Sequence, residues 1–83
     1  MKFIAEIDVM PLKEILDPQG KAVKLGLGNL GIQSIGDVRI GKHITLELEA
    51  KDQQDAEKNV ETACKKLLAN LIMEGFTYKV KTV

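Results

Sequence analysis

The chain has no tryptophan, only three other aromatic residues, two prolines, one cysteine and one histidine in 83 residues. Each scarcity removes a class of function. Cys64 has no partner for an internal disulfide, so a reducing, cytoplasmic setting is expected. So few rings do not make a stacking platform for nucleic-acid bases. Charge of one sign is also missing, since 12 basic residues balance 12 acidic ones. Neither nucleic acid nor an anionic membrane surface is therefore expected as the main partner. No apolar run approaches the length of a membrane-spanning helix. The first residues are charged and alternating and lack the apolar core of a secretory signal. The length allows one domain, residues 1–83. A core this small stabilises its fold only marginally, and such chains commonly gain stability by oligomerising.

What is present is a clear succession of periodic segments. Residues 2–10 alternate, with Phe3, Ala5, Ile7 and Val9 on one face, and predict a strand. Ile4 and Met10 on the other face make it mixed. Asp17 and Pro18 are a helix start, a side-chain acceptor for free first-turn amides followed by a proline with no N–H to lose. A helix over about 18–30 would place Ala22, Val23, Leu27 and Leu30 near one stripe. Gly20, Gly26 and Gly28 weaken it by about 1 kcal/mol each, so packing must hold it. Gly31 suits a left-handed helix end. Val38 and Ile40 predict a short strand that turns at Gly41-Lys42, with Gly41 at positive φ. Ile44, Leu46, Leu48 and Ala50 alternate with polar residues in the cleanest strand of the chain. Asp52 caps a second helix bearing Ala56, Val60, Ala63, Cys64, Leu67 and Leu68 on one side. Asn70 is expected to be left-handed, and Phe76, Tyr78 and Val80 form a last strand. The order is βαββαβ. It predicts an α+β two-layer sandwich, a four-stranded antiparallel sheet with two helices on one face, ferredoxin-like in plan. The other face would show Ile4, Met10, Arg39 and Val83, a mixed surface suited to self-association.

Candidate chemistry is sparse. Gly26-Leu27-Gly28-Asn29-Leu30-Gly31 matches a dinucleotide-binding pattern in letters. It falls at the end of a helix, where amides do not converge on a phosphate. His43 is the only residue suited to proton transfer near neutral pH, and no nucleophile or metal-ligand set accompanies it. Cys64 lies in the apolar stripe and reads as core. Glu6, Asp8, Glu47 and Glu49 read as solvated strand faces or cross-strand pairs. Arg39 can anchor a partner carboxylate or phosphate, or make a surface ion pair. No catalytic, cofactor-binding or metal-ligating residues are expected.

Taken in order, Leu12-Lys13, Leu16-Asp17-Pro18-Gln19-Gly20-Lys21-Ala22, Leu30-Gly31, Asp37-Val38-Arg39-Ile40-Gly41-Lys42 and Cys64-Lys65-Lys66-Leu67-Leu68-Ala69-Asn70 resemble PurS. That family is the small subunit of phosphoribosylformylglycinamidine synthase in purine biosynthesis. The resemblance covers nearly the whole chain and implies a PurS-like fold. It departs at Leu71-Ile72-Met73-Glu74-Gly75-Phe76, where the family usually runs Pro-x-Ile-Glu, an acidic residue and Tyr. It implies a complex that uses ATP, Mg and glutamine to convert formylglycinamide ribonucleotide to the amidine. In that complex a glutaminase subunit (PurQ) releases ammonia and a synthetase subunit (PurL) consumes it. The small subunit carries neither active site; it forms a dimer or tetramer and bridges the two.

The expectation is therefore a non-catalytic, cytoplasmic adaptor. Asp17, Gln19, Arg39, Lys42 and His43 are the expected partner-contact residues, because they lie at a helix start or a hairpin. The alternative is a small-metabolite-binding regulatory dimer, which rests on fold analogy alone.

Overall fold

The computed structural model describes residues 1–83. Strand β1 (Lys2–Pro11) leads through a loop to helix α1 (Pro18–Asn29). An irregular stretch then reaches strand β2 (Lys42–Glu49). Helix α2 (Gln53–Ala63) continues into a wider π turn (Cys64–Leu68), and strand β3 (Glu74–Thr82) follows.

The sheet has three antiparallel strands in the order β2-β1-β3, not the expected four. The missing strand is Val38–Ile40. Its N–H groups are spent elsewhere: Val38 donates to Asp37 Oδ1 at 2.9 Å and Ile40 to Asp17 Oδ2 at 2.9 Å. The stretch closes on the start of α1 and never reaches the sheet. Gly41 is correspondingly not a turn residue, since Gly31 alone has positive φ (88°). Gly41 is small for another reason. A Cβ there would collide with the Val9 carbonyl and the Met10 sulfur, so β1 and the approach to β2 touch at this point.

The strongest period in the sequence builds the core. Phe3, Ala5, Ile7 and Val9 of β1 are fully buried, flanked by half-buried Ile44, Leu46 and Leu48 of β2 and Phe76, Tyr78 and Val80 of β3. Helix α2 covers β1 and β3 with Ala56 and Val60, and Cys64, the first residue of the π turn, is buried in the same core. Asp52 caps it, accepting from the Asp55 N–H at 2.8 Å. The π turn then adds a residue to the helical repeat, shown by Ala69 N–H donating to the Cys64 carbonyl five residues back at 3.0 Å. The rotation buries Ala69 and throws Leu67, expected in the stripe, 81% into solvent. Asn70 is not left-handed either. Its backbone and side-chain oxygens accept from Ile72, Met73 and Glu74 and so shape the turn into β3.

Only one helix lies on the sheet. Helix α1, expected beside α2, projects away; its buried residue is Gly20. Strand β1 spans roughly 33 Å and α1 roughly 18 Å, and the molecule measures 51 × 26 × 15 Å. The Cα radius of gyration is 16.4 Å, against about 12 Å for a compact domain of this length. The chain is a small sheet body with an arm.

Candidate functional site

The arm is joined to the body by a lock that unites the two best-specified stretches of the sequence. Asp17 sits before α1 in extended conformation and caps it, Oδ1 accepting from the Gly20 N–H at 3.0 Å. Its other oxygen takes the Ile40 N–H. These two amides, Ile40 foremost, hold the Asp17 carboxyl below the usual carboxylate range, and the Arg39 guanidinium adds to the effect. Arg39 Nη2 reaches back to the end of β1 and donates to the carbonyls of Pro11 at 2.8 Å and Leu12 at 2.7 Å. Its Nε lies 3.9 Å from Asp17 Oδ2. Gly20 completes the lock, because a Cβ there would strike the Val38 carbonyl. Lys24 Nζ adds a bond to the Gly36 carbonyl at 3.0 Å.

Beyond the lock the arm is open. Val23, Leu25, Leu30 and Ile32 are 41%, 71%, 76% and 45% exposed. An open groove of about 650 Å³ runs between α1 and the returning chain, lined by Leu25, Ile32 and Ile35 with Lys21 and Lys24 at its edge. The glycine-rich end of α1 offers no phosphate cradle. The Leu30 and Gly31 N–H groups turn back to helix carbonyls, and the free groups of a helix C-terminus are acceptors.

The five expected contact residues do not form one site. Asp17 and Arg39 are consumed by the lock. Arg39 is thereby absent from the outer sheet face, where it was expected beside Ile4. Gln19 is exposed on the first turn of α1. Lys42 pairs in register with Val9 and His43 with Asp8, so the two lie on opposite faces of β2. His43 Nδ1 stands 2.7 Å from Asp8 Oδ1, and this bond raises the imidazole pKa above 6.5. Glu6, Thr77 and Lys79 surround the pair in a shallow pocket of about 200 Å³. No hydroxyl or thiol is placed within hydrogen-bond reach of the imidazole as a nucleophile. Cys64 is buried, and burial pushes its thiol pKa up.

Sequence reasoning missed the exposed apolar surface. It comprises the arm and the tip formed by Leu67, Leu71, Ile72 and Met73. The available signal was Leu25, which lies off the stripe of Val23, Leu27 and Leu30 on a helix that three glycines already weaken.

Comparison with known proteins bears on this geometry. A family profile described as PurS, phosphoribosylformylglycinamidine (FGAM) synthase, matches residues 4–82. The chain is 44% identical over 73 residues to the PurS subunit of that enzyme from Bacillus subtilis, covering 87% of this chain and 86% of that one. It is 44% identical over 66 residues to the Synechocystis PurS subunit, covering 80% of this chain and 66% of that one. It superposes with a TM-score of 0.88 and 30% identity on a chain of the PurLQS structure from Thermotoga maritima, covering 98% and 99% of the two chains.

Proposed function

Since the chain belongs to the PurS family of phosphoribosylformylglycinamidine synthase, we propose that it works as a non-catalytic adaptor of that enzyme. It joins a PurQ-type glutaminase to a PurL-type synthetase and associates with further copies of itself. The observation that carries this reading is the near-complete superposition on a chain of the Thermotoga maritima PurLQS structure. A body with an exposed arm and an exposed apolar tip suits a part that works by contact. ATP, Mg and glutamine are then handled by the other subunits, and the assembly is cytoplasmic. No helix here is long and apolar enough to cross a membrane.

The physical gain lies in proximity. Ammonia released by a free glutaminase is diluted and protonated in water. Holding the two catalytic subunits together makes the transfer local and raises the effective concentration at the acceptor. Gln19, Lys42 and His43 are exposed for direct contact with partners. Asp17 and Arg39 serve indirectly, by fixing the direction of the arm.

Reconstitution tests this reading. The chain is mixed with the glutaminase and synthetase subunits, Mg-ATP, Mg-ADP and glutamine. Complex mass and glutamine-dependent amidine formation should both require it. If the other two subunits assemble and work equally well without it, the adaptor role is wrong.

A further inference from the structure

Strand β3 forms one edge of the sheet, paired with β1 on one side only. The register fixes which of its main-chain groups are free. The Met73 carbonyl accepts from the Leu12 N–H, and the Val83 N–H donates to the Lys2 carbonyl. Odd-numbered residues of β3 therefore bond to β1, and the N–H and C=O groups of Phe76, Tyr78, Val80 and Thr82 point outward. One of these groups is met within the chain, since the Val80 carbonyl accepts from Gln53 Nε2 of α2 at 2.8 Å. No proline or bulge interrupts the strand, so the edge stays open to pairing.

The two sides of this edge carry opposite charge. On the open face of the sheet the row is Thr77, Lys79 and Lys81, all exposed. Lys81 Nζ lies 3.9 Å from Glu6 in an exposed pair, and Lys79 makes no ion pair. On the helix side Phe76, Tyr78 and Val80 are half-exposed. There Glu61 and Glu57 of α2 lie close enough to Tyr78 to add to burial in raising its hydroxyl pKa.

We propose that β3 takes a further strand from another chain of the assembly, an extended segment in which acidic and basic residues alternate. Its main chain bonds to the outward groups of Phe76, Tyr78 and Thr82 and displaces Gln53 from Val80. Its acidic side chains meet Lys79 and Lys81. Its Lys or Arg stems cover Phe76 and Tyr78 while their charged ends reach Glu57 and Glu61. A second copy of β3 does not fit, because it sets lysines beside lysines and glutamates beside glutamates. This rests on the reading that the chain bridges two other subunits, and it names one surface and the chemistry that meets it.

Hydrogen exchange tests this on the complex reconstituted with the glutaminase and synthetase, quenched and read residue by residue. In the chain alone the outward amides of Phe76, Tyr78, Val80 and Thr82 should exchange quickly, while those of Thr77 and Lys79 are protected. Assembly should slow the outward set at least roughly tenfold. Lys79→Glu should weaken assembly at least roughly tenfold with β1 protection unchanged, and Lys79→Arg should preserve it. A complex that forms while the outward amides exchange as in the free chain overturns the strand addition and leaves the bridging role standing. Outward amides that gain protection with concentration in the chain alone place a second copy on the edge and overturn the proposed occupant. Absence of any complex overturns the bridging role and this inference together.

Discussion

At the scale of single residues, the chain spends its most specific chemistry on geometry. Arg39 joins two carbonyls at the end of β1. Its replacement by Ala should destabilise the arm by about 2 kcal/mol, the order of losing hydrogen bonds made by a charged donor. Amide exchange at Gly20 and Ile40, compared with exchange in the strands, measures this. Asp17 gives the same lock a pH dependence. Its folded pKa lies below the ordinary 3.8, so its contribution is complete above that value and disappears as pH falls through the folded one. The Gly20 and Ile40 amides should lose protection in acid before the β1 amides do. His43 has the opposite sign. Its raised pKa, owed to Asp8, gives a contribution that is complete below 6.5 and lost as pH rises through the folded value. An imidazole NMR titration should show that raised value, and Asp8→Asn should return it toward 6.5. The local roles of Asp17 and Pro18 were legible in the sequence, because capping depends on neighbours within one turn. That Asp17 answers Ile40 was not legible, because that bond spans more than twenty positions and leaves no periodic trace.

At the scale of elements, two glycine sets separate close approach from simple flexibility. Gly20→Ala places a methyl on the Val38 carbonyl and should detach the returning chain from α1. Gly26→Ala and Gly28→Ala meet nothing within 4 Å and should stabilise α1 by about 1 kcal/mol each through helix propensity. Urea unfolding, together with exchange in the arm, distinguishes the two sets. The core tolerates less. With only 10 of 83 residues buried, Ile7→Ala or Val60→Ala, at about 2–4 kcal/mol, should remove much of the stability of a small domain. Thermal melts test that expectation. β1 and the first part of α2 were readable because each keeps its period against one buried layer. The reading failed at Leu67, where one extra residue in the π turn changes the phase, and at Val38 and Ile40. Two β-branched residues beside an arginine carry a strand signal that bonds to Asp17 override.

At the scale of the whole molecule, shape was the least legible property. An apolar stripe announces that something covers it without saying whether the cover is the same chain. Small-angle scattering on a diluted sample should approach the 16.4 Å radius of the extended protomer. A compact two-helix sandwich would give about 12 Å. The strand order has a further consequence, for the timing of biosynthesis. β1 is the central strand, and Phe3 pairs with Thr82 as well as with Leu48. The segment that leaves the ribosome early therefore waits for β3 before its second edge is satisfied. Until then Ile7 and Val9 have neither their β3 neighbours nor a settled α2, and the nascent sheet is a hairpin of β1 and β2 with a bare edge. Such long-range pairing slows folding and prolongs exposure to wrong partners. A ribosome stalled before Glu74 should display a chain that trigger-type chaperones hold and that protease cuts within β1.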